Sequence, residues 1–197
     1  TSILKADNIQ DADGNNIINE SSNTITIGAS GDTISIPSGA TIANSGTATG
    51  FGGTNTPAFK ANMSGSQSFS SGSSFKVDFD TEVFDTDSAY DPSTNQRFTV
   101  PSGKAGKYYI HGKIFYNDIN STDAYEYASI YKNGSEFARG QRRTVGTTGR
   151  DATVSVSEIL NLSVGDYIEI YGKTNAGSGS LNGDAPLAVF EGYKLVE

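Results

Sequence analysis

Six carboxylates, Asp78, Asp80, Glu82, Asp85, Asp87 and Asp91, fall within fourteen residues with no lysine or arginine between them. Oxygen ligands in such number suit calcium, which takes about six to eight of them. Asp78, Asp80 and Glu82 are the candidate ligands, because alternation sets them on one strand face about 7 Å apart in succession. The spacing matches no EF-hand loop, so a solvated acidic face is the leading reading and no cofactor is required. Four of the five arginines, Arg139, Arg142, Arg143 and Arg150, crowd into one stretch. That window suits an anionic glycan or, as the leading reading, the acidic run of a neighbouring subunit. The single histidine, His111, shares an alternate face with Tyr109, Lys113 and Phe115. No nucleophile-elbow serine accompanies it, so a packed or surface histidine is expected instead of a catalytic one.

Composition narrows the chemistry further. The 197 residues include no cysteine, which excludes thiol nucleophiles, disulfides and thiolate zinc sites. A net charge of −8 argues against nucleic acid as a partner. No run of about eighteen apolar residues is present, so no membrane-spanning helix is expected. The opening TSILKADNIQ is too short and polar for a secretory signal. Paired carboxylates for glycoside cleavage are conceivable among 22 acids, but no residue pair stands out, and the expectation is a protein without enzymatic activity. The glycine stretches Gly50-Phe51-Gly52-Gly53 and Gly177 to Gly179 precede no helix that could hold a phosphate, and read as hinge and turn.

The elements that must position these residues differ between two segments. All ten tyrosines and nine of the ten phenylalanines follow Pro57. Residues 1–56 hold only eleven large apolar side chains, too few to repay the ordering of their own backbone. Within them TITIGASGD (Thr24 to Asp32) is followed by the near-repeat TISIPSGAT (Thr33 to Thr41), and Thr41-Ile42 opens a weaker third copy. Alternation aligns Ile25 and Ile27 with Ile34 and Ile36, and Ile42 extends the row. Three chains wound about one axis would bury these isoleucines against each other as a β shaft; a flexible Ser/Thr/Asn linker is the alternative. Residues 57–197 read as short strands between turns. FKVDFDTEVF (Phe75 to Phe84) predicts one strand with Phe75, Val77, Phe79 and Val83 on a common side. YYIHGKIFY (Tyr108 to Tyr116) predicts another, and Asn133-Gly134 predicts a hairpin turn. With no helical period, the expectation is an all-β sandwich of about eight to ten strands.

Several segments carry a family resemblance: PAFKANM, FDTEVFDTDSAYDPSTNQRFTVPSGKAGKYYIHGKIFYN, ILNLSVGDYIEIYGKT and AVFEGYKLV. Tyr90, Phe98, Pro101, Gly106, Tyr108 and Ile110, then Leu160, Leu162, Gly165, Asp166 and Ile168, occupy its motif places. Residues 57–197 resemble the jelly-roll head shared by the first complement component and tumour necrosis factor. That resemblance implies a jelly roll and a homotrimer, here without a collagen-like stalk. The Ser/Thr/Asn/Gly-rich opening resembles that of structural proteins of marine bacteriophages. Together the two imply a virion protein, located at the tail or capsid surface: a trimeric tail fibre or spike with a short shaft and a head that binds a host surface glycan. A capsid decoration protein attached to other virion proteins through its N-terminal segment is the alternative, and a bacterial adhesin the second. Tyr125, Tyr127, Arg142 and Arg143, expected on head loops, are the candidate ligand contacts.

Overall fold

A chain that alternates apolar and polar residues has one face to bury, and a second sheet laid on that face buries it. The computed structural model describes residues 8–10, 12–14, 16–22, 24–28, 30–43, 45–46, 55–146, 148–184 and 187–195, and among these there is no helix. The chain divides into two units, Thr1–Thr49 and Gly50–Glu197, where composition suggested 1–56 and 57–197. The expected hinge at Gly50, Phe51, Gly52 and Gly53 lies outside the described residues.

In the first unit β1 (Asn8–Gln10), β2 (Asn16–Ser21) and β3 (Thr24–Ile27) form an antiparallel sheet in that order. Its register sets Ile9, Ile18 and Ile27 side by side, and Ile25 joins their face two residues along β3. All four are exposed, Ile25 at 68%. The second repeat corrects the expectation of a second strand: Ile34, Ile36 and Ile42 are exposed and lie in chain that joins no sheet. Gly31, at φ 98°, precedes this stretch, and a turn in which Ala40 N–H donates to the Pro37 carbonyl (3.0 Å) follows it.

The second unit is a two-layer sandwich. Its strands are β4 (Ala58–Asn62), β5 (Gln67–Phe69), β6 (Phe75–Lys76), β7 (Thr81–Asp85), β8 (Tyr90–Asp91), β9 (Arg97–Thr99) and β10 (Gly106–Ile119). There follow β11 (Asp123–Lys132), β12 (Ser135–Val145), β13 (Arg150–Leu162), β14 (Tyr167–Thr174), β15 (Gly179–Leu181) and β16 (Val189–Lys194). One layer is the seven-stranded sheet β5-β15-β10-β16-β4-β7, with β13 also paired to β10. The other is the six-stranded sheet β12-β11-β14-β9-β8, with β6 paired to β14. The strand count exceeds the expected one because short strands of two or three residues, β5, β6, β8, β9 and β15, add to the long alternating ones.

The segment 75–84 corrects the single strand predicted there. β6 belongs to the six-stranded sheet and β7 to the seven-stranded one, so residues 77–80 cross between layers. Two tight turns carry the crossing, Phe79 N–H donating to the Val77 carbonyl (3.1 Å) and Asp80 N–H to that of Asp78 (3.0 Å). Val77 and Phe79 are fully buried, as alternation predicts, but Val83 is 51% exposed, because β7 is the edge strand of its sheet and Thr81, Glu82, Val83 and Phe84 are all exposed. The Asn133-Gly134 hairpin forms as expected, with both residues at positive φ (51° and 77°).

Aromatic rings join the layers. Phe59 of β4 stacks on Phe98 of β9 (4.7 Å, 7°) and on Tyr90 of β8 (5.3 Å), and meets Phe190 of β16 edge-on (4.9 Å, 85°). Such pairs add about 0.5–1.5 kcal/mol each beyond their burial. At the other side the two sheets approach so closely that a Cβ on Gly140 of β12 would stand 1.9 Å from the Ser155 carbonyl oxygen of β13. Gly140→Ala should therefore lower the urea midpoint of the chain by the equivalent of about 1–3 kcal/mol or more. An unchanged midpoint would show that β12 and β13 do not meet in this way.

Candidate functional site

Because Ala124, Ala128 and Ile130 of β11 and Ile168 and Ile170 of β14 are buried in the core, the residues between them are turned outward. Five of those are tyrosines: Tyr125, Tyr127 and Tyr131 on β11, and Tyr167 and Tyr171 on β14. They pack along the sheet, each half-buried. Tyr131 stacks on Tyr171 at 3.9 Å, and Tyr125 lies parallel to Tyr127 at 6.4 Å. Guanidinium groups cover three of the rings: Arg143 over Tyr125 (5.6 Å), Arg139 over Tyr127 (4.8 Å) and Arg97 over Tyr167 (4.3 Å).

Two of these arginines are fixed by bidentate carboxylates. Arg143 donates through Nε and Nη2 to Asp123 (2.9 and 2.8 Å), and Arg139 donates in the same way to Glu136, with Nε at 2.7 Å. The Arg143 hydrogen bonds hold Asp123 below the usual carboxylate range, and those from Arg139 do the same for Glu136. Lys76 pairs with Glu169 at 2.6 Å. The face is thus a row of tyrosine rings edged by guanidinium and carboxylate groups in fixed orientations, able to stack planar or C–H-rich ligands and to bond their hydroxyls.

Of the four predicted ligand contacts, the structure brings Tyr125, Tyr127 and Arg143 together. It corrects their setting: they lie on strands β11 and β12, not on loops. Arg142 is separated from the others, because it pairs in register with inward-facing Glu126 and so belongs to the opposite face of the sheet. Adjacent strand residues cannot share a face. The arginine window is also divided. Arg139 and Arg143 bind carboxylates of their own chain, and Arg150 donates to the Val145 and Ser121 carbonyls. Tyr131, Tyr167, Tyr171 and Arg97 are the members of this face that sequence reasoning did not single out; Arg139 entered only as part of the arginine window. Carrying the alternation through AYEYASIYK and YIEIYGK would have found the three tyrosines.

The proposed calcium ligands are not brought together. Asp78 and Asp80 lie in the link between layers and Glu82 on β7, and no group of three or more metal-ligating side chains converges among the described residues. Burial acts to raise the Asp80 carboxyl, but hydrogen bonds from Ser64 N–H (2.7 Å) and Oγ (2.5 Å) outweigh it and hold it low. Burial, then the nearby Asp80 charge, raises Asp78. On the outer face of the seven-stranded sheet His111 Nδ1 lies 3.2 Å from Glu191, which also pairs with Lys60 at 3.1 Å. This is a surface cluster, and among the described residues no serine is hydrogen-bonded to the ring. Beside it Tyr109, Tyr193, Phe84 and Phe59 line a shallow depression of about 280 Å³.

With this geometry in view, the comparisons with known proteins concern the fold. No protein-family model and no curated protein matches the chain. The globular domain of zebrafish complement 1qA protein superposes with a TM-score of 0.52 at 16% identity, covering 71% of this chain and 97% of that one. Murine APRIL at pH 5.0 does so at 0.52 and 14% identity, over 71% and 98% of the two chains. Murine APRIL at pH 8.5 gives 0.51 at 13%, over 71% and 98%. The fold is the jelly roll of the tumour necrosis factor and complement head domains.

Directly beneath the tyrosine row lies Glu126, fully buried, with one carboxyl oxygen accepting from Thr144 Oγ1 (2.7 Å) and Oε1 without a hydrogen-bond partner among the described residues. Burial raises its pKa above the ordinary value, against the hydrogen bond from Thr144 and the charges of Arg142 and Arg150, which lower it. The folded chain therefore holds this proton more tightly than the unfolded one. Its stabilising effect is complete at low pH and is lost as pH rises through the ordinary carboxylate range towards the raised folded value. Replacing Glu126 with glutamine should flatten the fall in melting temperature as pH rises above the ordinary carboxylate range. An identical fall in both proteins would show that Glu126 is charged in the fold.

Proposed function

We propose that the chain is a homotrimeric virion protein, a tail fibre or spike attached by its first unit, whose jelly-roll head binds a glycan on a host surface without cleaving it. The observation that carries the binding role is the outer face of the six-stranded sheet, where five tyrosines lie in a row with three guanidiniums over them. Sugar rings present C–H faces that pack on aromatic rings and hydroxyls that bond to oriented donors and carboxylates, and this face supplies both.

The trimer is supported by the first unit. Ile9, Ile18, Ile25 and Ile27 form an uncovered apolar row, and Ile34, Ile36 and Ile42 continue exposed beyond it. Copies of the same chain are the partners that would cover such rows equally. Three weak glycan sites on one axis then gain affinity through effective concentration, with no deep pocket needed. Attachment to a virion rests on the resemblance of the Ser/Thr/Asn/Gly-rich opening to phage structural proteins.

Native mass spectrometry of the whole chain should give three times 20.7 kDa, and a monomer would contradict the shaft. On an array of bacterial surface polysaccharides the whole chain should bind. Tyr131→Ala combined with Tyr171→Ala should weaken that binding about tenfold or more while leaving the trimer intact. Full binding by the double variant would move the site elsewhere.

A further inference from the structure

The charges on the tyrosine face specify its ligand more narrowly. Five cations stand there, Lys76, Arg97, Arg139, Arg143 and Lys173, against four carboxylates, Asp91, Asp123, Glu136 and Glu169. In a chain of net charge −8 this face is locally positive. Three ion pairs, Lys76 with Glu169, Arg139 with Glu136 and Arg143 with Asp123, neutralise three cations. Asp91 turns into its own loop, where it accepts hydrogen bonds from Ser93, Thr94 and Asn95. Arg97 and Lys173 remain without an ion-pair partner among the described residues.

Their placement is informative. Arg97 lies over Tyr167 at one end of β14, and Lys173 sits six residues further along, opposite Tyr127 of β11. At ~3.4 Å per strand residue those two β14 positions are about 20 Å apart. The Tyr131–Tyr171 stack lies between them. A single anion cannot reach both cations; a polymer with acidic groups at intervals can. Its rings would lie on the central tyrosine pair, and its hydroxyls would meet the fixed carboxylates Glu136, Asp123 and Glu169. Those three carboxylates disfavour a nucleic acid strand, whose phosphate at every nucleotide would find only two cations outside ion pairs.

Resting on the glycan-binding reading above, we infer that the ligand is a carboxylate-bearing polysaccharide, held across Arg97, Tyr167, the Tyr131–Tyr171 stack and Lys173. The test uses the whole chain and a matched pair of polymers, polygalacturonate and the same backbone fully methyl-esterified, with hyaluronate as a second acidic probe and oligo(dT) as the nucleic acid. Calorimetric titration should show an acidic polymer bound about tenfold or more tightly than the neutral one, with the advantage shrinking at high salt. Arg97→Gln with Lys173→Gln should abolish that advantage and retain binding to the neutral polymer, and an unchanged urea midpoint checks its fold. Equal binding of acidic and neutral polymers would overturn the charge assignment and leave the glycan reading in place. Binding of neither would overturn both, and tighter binding of oligo(dT) would replace the polysaccharide by a nucleic acid.

Discussion

The head depends on the contact between its two layers at Phe59. That ring is held between Phe98 and Tyr90 on one side and the edge of Phe190 on another, so strands from both sheets are committed to a single interior. Truncating such a residue costs about 3–5 kcal/mol. The commitment also fixes phase. Once Ile130 and Ile170 are buried, Tyr131 and Tyr171 have only the outside available, and the tyrosine face follows from the core behind it.

Two outer faces result, with different chemistry. The seven-stranded sheet shows the one histidine, paired with Glu191, next to an apolar depression. The six-stranded sheet shows the tyrosine row with its guanidiniums and carboxylates. Tyrosine brings large contact area at low conformational cost, and the bidentate carboxylates of Arg139 and Arg143 remove further freedom. The polar groups are therefore oriented before any ligand arrives. The first unit is built on another principle. Its three-stranded sheet is paired through backbone hydrogen bonds, yet Ile9, Ile17, Ile18, Ile25 and Ile27 stay exposed, and its stability is tied to whatever covers them.

Much of this was legible in the sequence, for a physical reason. Strands such as β10 and β13 alternate for more than ten residues, and a period of two sustained so long has no competing explanation. The turn at Asn133-Gly134 was legible because few residue pairs accept positive φ. The crossing at 77–80 was not, since a chain that changes sheets keeps the same local alternation on either side of the break. The separation of Arg142 from Arg143 is not legible from residue type, since in a loop neighbours can share a surface and in β12 they cannot. The second isoleucine repeat carries a strand pattern without a strand, because pairing depends on a neighbour that four residues do not encode.

The central claim is that the outer face of the six-stranded sheet is where ligand is bound. The most direct test is a crystal structure of the whole chain with an acidic oligosaccharide diffused in at low ionic strength. The account predicts sugar rings over Tyr131 and Tyr171, with carboxylates near Arg97 or Lys173. Sugar seated on the seven-stranded sheet, against Tyr109 and Tyr193, with the tyrosine row bare, would contradict it.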